Sequence, residues 1–137
     1  MPAGAVTAVD DIVLAAFNSL DDTVTIDDLA IAMEERVTAL GAAWTAGPWA
    51  IICHSTGALI ARRWLLNRLG KGPIPTHLIT MGGANHGSTL AQMGKSPLGY
   101  IQKLFAKQSP TVGANVLTDL DYGSGFLLKL NTDWMTL

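Results

Sequence analysis

Residues 49 to 53, Trp-Ala-Ile-Ile-Cys, constrain this chain more than any other stretch. They are apolar without alternation and stop at His54-Ser55-Thr56-Gly57. A short continuous apolar run reads as a strand buried on both faces, as in a parallel sheet covered by helices. Ala58 to Leu69 then reads as an apolar helix, with Gly70 as its stop. A strand that turns directly into a helix leaves the serine between them at the carboxyl end of the sheet. That is one way a serine is mounted for nucleophilic attack.

The flanking sequence continues the alternation. Ile12 to Phe17 (IVLAAF) predicts a first buried strand, followed by a polar loop. Thr25 opens a helix: its hydroxyl can cap, and Asp28 three residues on completes a capping-box pattern. Ile26, Leu29, Ala30, Met33, Val37 and Leu40 recur at helical spacing, and Gly41 ends the run. Lys71 to Pro75 is a rigid turn, and His77 to Met81 predicts a third strand ending at Gly82-Gly83. Leu98 to Lys107 predicts a short helix. Phe126 to Leu130 starts another after the turn at Gly123-Ser124-Gly125. This order predicts an α/β fold: a parallel sheet core of about three strands with flanking helices. Its outer strands would expose apolar edges unless further strands or a partner chain cover them.

Bulk properties narrow the function. The 137 residues, 49% hydrophobic and 15% charged, suit one domain with a packed core. The net charge of −2 and the scattered Lys and Arg argue against nucleic acid. No apolar run approaches the roughly 18 residues of a transmembrane segment. The first basic residue is Arg36, so the N-terminus lacks the positive region of a secretory signal. One cysteine excludes an intrachain disulfide and fits a reducing compartment, which favours the cytoplasm for the chain as it stands. His54, His77, His86 and Cys53 lack a metal-ligand spacing, so neither a metal nor a cofactor is expected.

A serine hydroxyl is a weak nucleophile. It requires a general base, a group that orients the base, and donors for the developing oxyanion. Ser55 is the candidate nucleophile, and the Thr56 N–H, at a helix N-terminus, is the candidate oxyanion donor. Cys53-His54-Ser55-Thr56-Gly57 with Ala58-Leu59-Ile60-Ala61-Arg62 resembles the GHSxGGLVAR elbow of α/β-hydrolase lipases and esterases. Cysteine stands in place of the first glycine. Leu78 to Ala91 resembles the GTPHxGSxxA segment after the sixth strand of those lipases, and Gly123 to Asn131 resembles their GSxFLxxLN stretch. The resemblance implies a partial α/β-hydrolase fold. The strands at 12–17, 49–53 and 77–81 would be the fourth to sixth of the family sheet. The sheet core would run over residues 9–91, and a cap- or lid-like region over 92–137.

In that family an acid and then a histidine follow the serine. Here Ser55 is followed by His77 and His86 with no Asp or Glu before them, and no histidine follows Asp119, Asp121 or Asp133. An HG-type oxyanion loop upstream is also missing. The chain therefore reads as an internal piece of a larger hydrolase, without its triad acid and base.

The remaining candidates have plainer readings. His54 and His86 are possible pocket residues, His54 as part of the wall and His86 through loop-shaping hydrogen bonds. His77 is expected on the surface and Cys53 as a small buried residue. Arg62-Arg63 is expected on a solvated helix face opposite Trp64, Leu65 and Leu66. Asp119 and Asp121 are expected in a solvated loop, and Trp134 and Met135 packed on the sheet or pocket. The expected function is that of a serine hydrolase of the lipase or carboxylesterase type acting on a lipid-like ester through an acyl-enzyme on Ser55. The alternatives are an acyltransferase or thioesterase on the same scaffold, or a non-catalytic remnant or interaction module.

Overall fold

A computed structural model describes residues 9–17, 21–88 and 113–137. Helix α1 (Ile26–Ala39) starts where the capping box places it. The Thr25 hydroxyl accepts the Asp28 N–H at 3.2 Å, and the Asp28 carboxylate accepts the Thr25 N–H at 2.9 Å. Its apolar stripe, Ile26, Leu29, Ala30, Met33 and Val37, is buried. Burying each of the larger side chains contributes about 1.5–3 kcal/mol. A short helix α2 (Ala42–Thr45) follows, then strand β1 (Ala50–His54), helix α3 (Gly57–Arg68) and strand β2 (His77–Met81). β1 and β2 pair in parallel, with Ala50 opposite His77 and His54 opposite Met81. Helices α4 (Ala114–Asp119) and α5 (Gly125–Met135) complete the described chain.

The core lies between α1, α3 and the C-terminal helices. It joins the α1 stripe to Leu59, Ile60, Ala61, Trp64 and Leu65 of α3 and to Val116, Leu120, Leu127 and Leu130. Trp64 anchors it. The indole N–H donates to Glu34 at 2.6 Å, and the ring meets Trp49 edge-on at 6.0 Å. Trp49 meets Trp44 in the same way at 5.7 Å, which fixes the entry to β1.

Several expectations are corrected. The sheet among the described residues has two strands, not three. Residues 9–17 carry no regular secondary structure, and Ile12 and Leu14 are exposed. The Asp11 carboxylate accepts the Ile12 N–H at 2.8 Å and the Trp44 indole at 3.2 Å, so a local side chain takes a donor that a strand ladder would need. β1 is covered on one face only. Ile51 and Cys53 pack toward the core, whereas Ile52 is 65% exposed. In register beside it, Ile79 and Met81 are also exposed. The helix expected over 98–107 lies outside the described residues. α4 was not anticipated. Its first N–H, from Ala114, donates to Asp22 at 2.9 Å. Asp119 in turn accepts the Ile26 N–H at the start of α1, at 3.0 Å. Asp119 thus belongs to a helix-helix junction, not to a solvated loop. Met135 is exposed at 80%, while Trp134 packs against the core. No helix among the described residues is long and apolar enough to cross a membrane.

Candidate active site

Ser55 occupies the single residue between the end of β1 and the N-cap of α3. Its φ of +52° is the left-handed conformation that side chains with a Cβ adopt at a cost. Three backbone bonds hold it there. The Ser55 N–H donates to the Met81 carbonyl at 3.1 Å. The Ser55 carbonyl accepts the N–H groups of Ala58 at 3.1 Å and Ala84 at 3.4 Å. The turn is therefore stapled to the end of β2 and to the loop after it. Backbone strain of this kind persists where surrounding bonds over-determine it, and such sites are often functional.

Thr56 is the N-cap of α3 and makes no side-chain capping hydrogen bond. Its backbone is helical (φ −57°, ψ −28°), which directs its N–H out of the helix N-terminus, where an anion is favoured. The turn also sets Gly57 beside Cys53. A Cβ on Gly57 would stand 3.4 Å from the Cys53 Cβ, within van der Waals contact, so the turn brings its first and fifth positions against each other. The Cys53 thiol donates to the Ile79 carbonyl at 3.5 Å. Burial raises its pKa above the ordinary value, which suits a quiet packing role.

His54 ends β1 on the exposed face, with its Nε2 near Gly82. His77 starts β2 and is exposed; its Nδ1 meets the Thr76 hydroxyl at 3.0 Å. His86 is exposed in the loop after β2. Among the described residues no histidine hydrogen-bonds the Ser55 hydroxyl, so these side chains are not assembled into a relay. No group of three or more His, Cys, Asp or Glu among them is placed to hold a metal ion. A cleft of about 310 Å3 lies at the start of α1, lined by Thr25, Asp27, Arg63 and Asp119 among others, but none of the elbow residues borders it.

The loop-shaping bonds expected of His86 are made by its neighbour Asn85, and they run to Arg62. The Arg62 guanidinium donates to the Asn85 side-chain oxygen at 3.1 Å and to that of Asn131 at 2.9 Å. The Asn131 amide closes the ring by donating to the Asn85 carbonyl at 3.0 Å. Trp134 stacks on the guanidinium at 4.9 Å. Arg62 is only 7% exposed, and burial lowers its pKa from the ordinary value. This corrects the expected solvated face, because α5 and the loop after β2 cover that side of α3. Arg63 is also engaged, in an ion pair with Asp27 and a looser one with Asp133 at 3.9 Å. A helical-wheel count could have found Arg62, since it lies three residues from Leu59 and Leu65 on the buried stripe.

No protein-family model and no curated protein matches the chain. Solved structures do, and two of them are of one phospholipase. One is phospholipase PlaB from Legionella pneumophila, 40% identical, with a TM-score of 0.78 over 95% of this chain. The other is phospholipase PlaB from Legionella pneumophila in complex with thio-NAD, 39% identical, with a TM-score of 0.72 over 90% of this chain. The match covers 28% of the first phospholipase chain and 25% of the second. The chain is a mixed α/β unit similar in structure and sequence to about a quarter of a phospholipase.

Proposed function

We propose that this chain is the nucleophile-bearing section of a lipase-like serine hydrolase, an α/β-hydrolase by fold, that cleaves a lipid-like ester. The left-handed Ser55, fixed between a parallel strand and an uncapped helix N-terminus, carries the reading. The similarity to a phospholipase supports the substrate class.

In the proposed reaction the Ser55 Oγ attacks the ester carbonyl and loses its proton to a general base. The carbonyl oxygen becomes an oxyanion, and the Thr56 N–H donates to it from the helix start. Collapse of this intermediate breaks the ester C–O bond, and the alcohol leaves with the proton returned by the base. Water then attacks the acyl-Ser55 ester by the same route and frees the acid. The base and its acid partner belong to other parts of a longer polypeptide, in keeping with the partial coverage of the phospholipase chain.

A long-chain fluorophosphonate tests the reading. Labelling of the longer polypeptide that carries the base, abolished by Ser55→Ala, supports a competent elbow. If that longer polypeptide folds and takes no label, the chain is assigned to a non-catalytic, partner-binding role instead. The exposed Ile52, Ile79 and Met81 face of the sheet fits that second reading.

A further inference from the structure

Arg62 is a buried cation whose hydrogen-bond acceptors are both neutral amide oxygens. Burying a charge is costly unless it is paired or well satisfied, so such a residue needs a reason to be there. Its Nε has no partner among the described residues, so even its hydrogen bonding is incomplete. A packed apolar side chain could fill the same space without that cost. The contacts point to what the guanidinium does.

We propose that Arg62 is a positioning residue for Ser55, acting through the loop that follows β2. The proposal rests on the reading of Ser55 as the nucleophile. Two consecutive loop residues are held at different heights along α3. Ala84 donates its N–H to the Ser55 carbonyl at the foot of the helix, and Asn85 is gripped by Arg62 two turns further on. Just before them the loop lies hard against α3, since a Cβ on Gly83 would meet the Ala58 Cβ at 2.8 Å. Asn131 holds Asn85 from the α5 side, so the loop cannot lift without breaking bonds to both helices. Releasing Asn85 frees Ala84, and with it one of the bonds that keep Ser55 at its positive φ.

Amide hydrogen exchange on the whole chain reads the clamp directly. In Arg62→Gln, exchange at Ala84 and at Gly87, whose N–H donates to the Ala84 carbonyl at 2.9 Å, should rise about tenfold or more, while Met33 and Val37 of α1 stay protected. Arg62→Lys keeps the charge and can reach one amide oxygen, so it should fall between. Val37→Ala controls for general destabilisation by weakening the core away from the loop. Fluorophosphonate labelling of the longer polypeptide that carries the base reads the consequence. Arg62→Gln should lower the maximal labelling rate about tenfold with little change in the half-saturating probe concentration, because a displaced nucleophile loses rate rather than binding. Val37→Ala should change neither quantity per folded molecule. If Arg62→Gln does not fold, Asn85→Ala removes the same contact from the loop side.

Unchanged exchange at Ala84 and Gly87 overturns the proposal, and so does faster exchange with an unchanged labelling rate. A longer wild-type polypeptide that folds and takes no label refutes the nucleophile reading separately. The exchange data still decide whether Arg62 holds the loop on the elbow.

Discussion

The strain at Ser55 can be measured without any substrate. A side chain with a Cβ at the left-handed φ of Ser55 costs about 1–2 kcal/mol, and glycine does not pay it. Ser55→Gly and Ser55→Ala both remove the hydroxyl, which bonds no group among the described residues, so both lose the same contacts. They differ in the backbone. Alanine keeps the left-handed cost, whereas glycine sheds it but gives back about 0.4–1 kcal/mol through the greater freedom of its unfolded chain. The difference leaves Ser55→Gly about 1 kcal/mol more stable than Ser55→Ala. With a urea m-value of about 2 kcal/mol per molar, that moves the midpoint up by about 0.5 M. Ser55→Ala itself should stay within about 0.5 kcal/mol of wild type. The assay is urea unfolding of the three proteins side by side, followed by fluorescence of the buried Trp64. A glycine variant no more stable than the alanine variant would refute the strained elbow, and the geometric case for a nucleophile would go with it.

Two further outcomes follow from the same geometry. Gly83→Ala places a Cβ 2.8 Å from that of Ala58, so overpacking should cost about 1–3 kcal/mol in urea unfolding. Asp119→Asn should be neutral or stabilising at pH 7, because Asn can still accept the Ile26 N–H. Burial raises the Asp119 pKa, the Ile26 bond opposes that, and the charges of Asp27 and Asp28 add to it. A carboxyl with a raised folded pKa favours the fold below its unfolded pKa, and that contribution is lost as pH rises through the folded value. The advantage of Asp119→Asn should therefore shrink as pH falls through the carboxylate range, as thermal unfolding at several pH values would read.

Local chemistry was legible in the sequence; long-range chemistry was not. The start of α1 is written within four residues, Thr25 to Asp28, and the structure places it there. β2 lies where its flanking turns put it, from His77 to Met81. α4 escaped notice because its cap comes from Asp22, 92 residues away in sequence. IVLAAF misled for a related reason: an apolar run becomes a strand only when a sheet edge accepts it, and its composition does not say whether one will. Ser55 was singled out by its place between a strand and a helix, but its positive φ depends on bonds to Met81 and Ala84, which no local pattern records.

Arg62 shows where sequence reasoning breaks down and why the break is informative. An arginine beside another arginine reads as solvated, since charge belongs in water unless something compensates for its burial. Here the compensation comes from Asn85, 23 residues on, from Asn131, 69 residues on, and from the Trp134 ring. The first sits in the loop beside the serine, and the other two sit on α5. Each looks ordinary in its own segment. Together they join the three segments at one buried point, where the elbow helix, the loop after β2 and the last helix must agree on position. A hydrophobic plug there would hold the segments together but would let them slide. Directional bonds from one guanidinium to two amides restrict that sliding. A nucleophile on a tight turn tolerates little displacement, so a fixed joint behind it serves the proposed chemistry better than a tighter but less directional one.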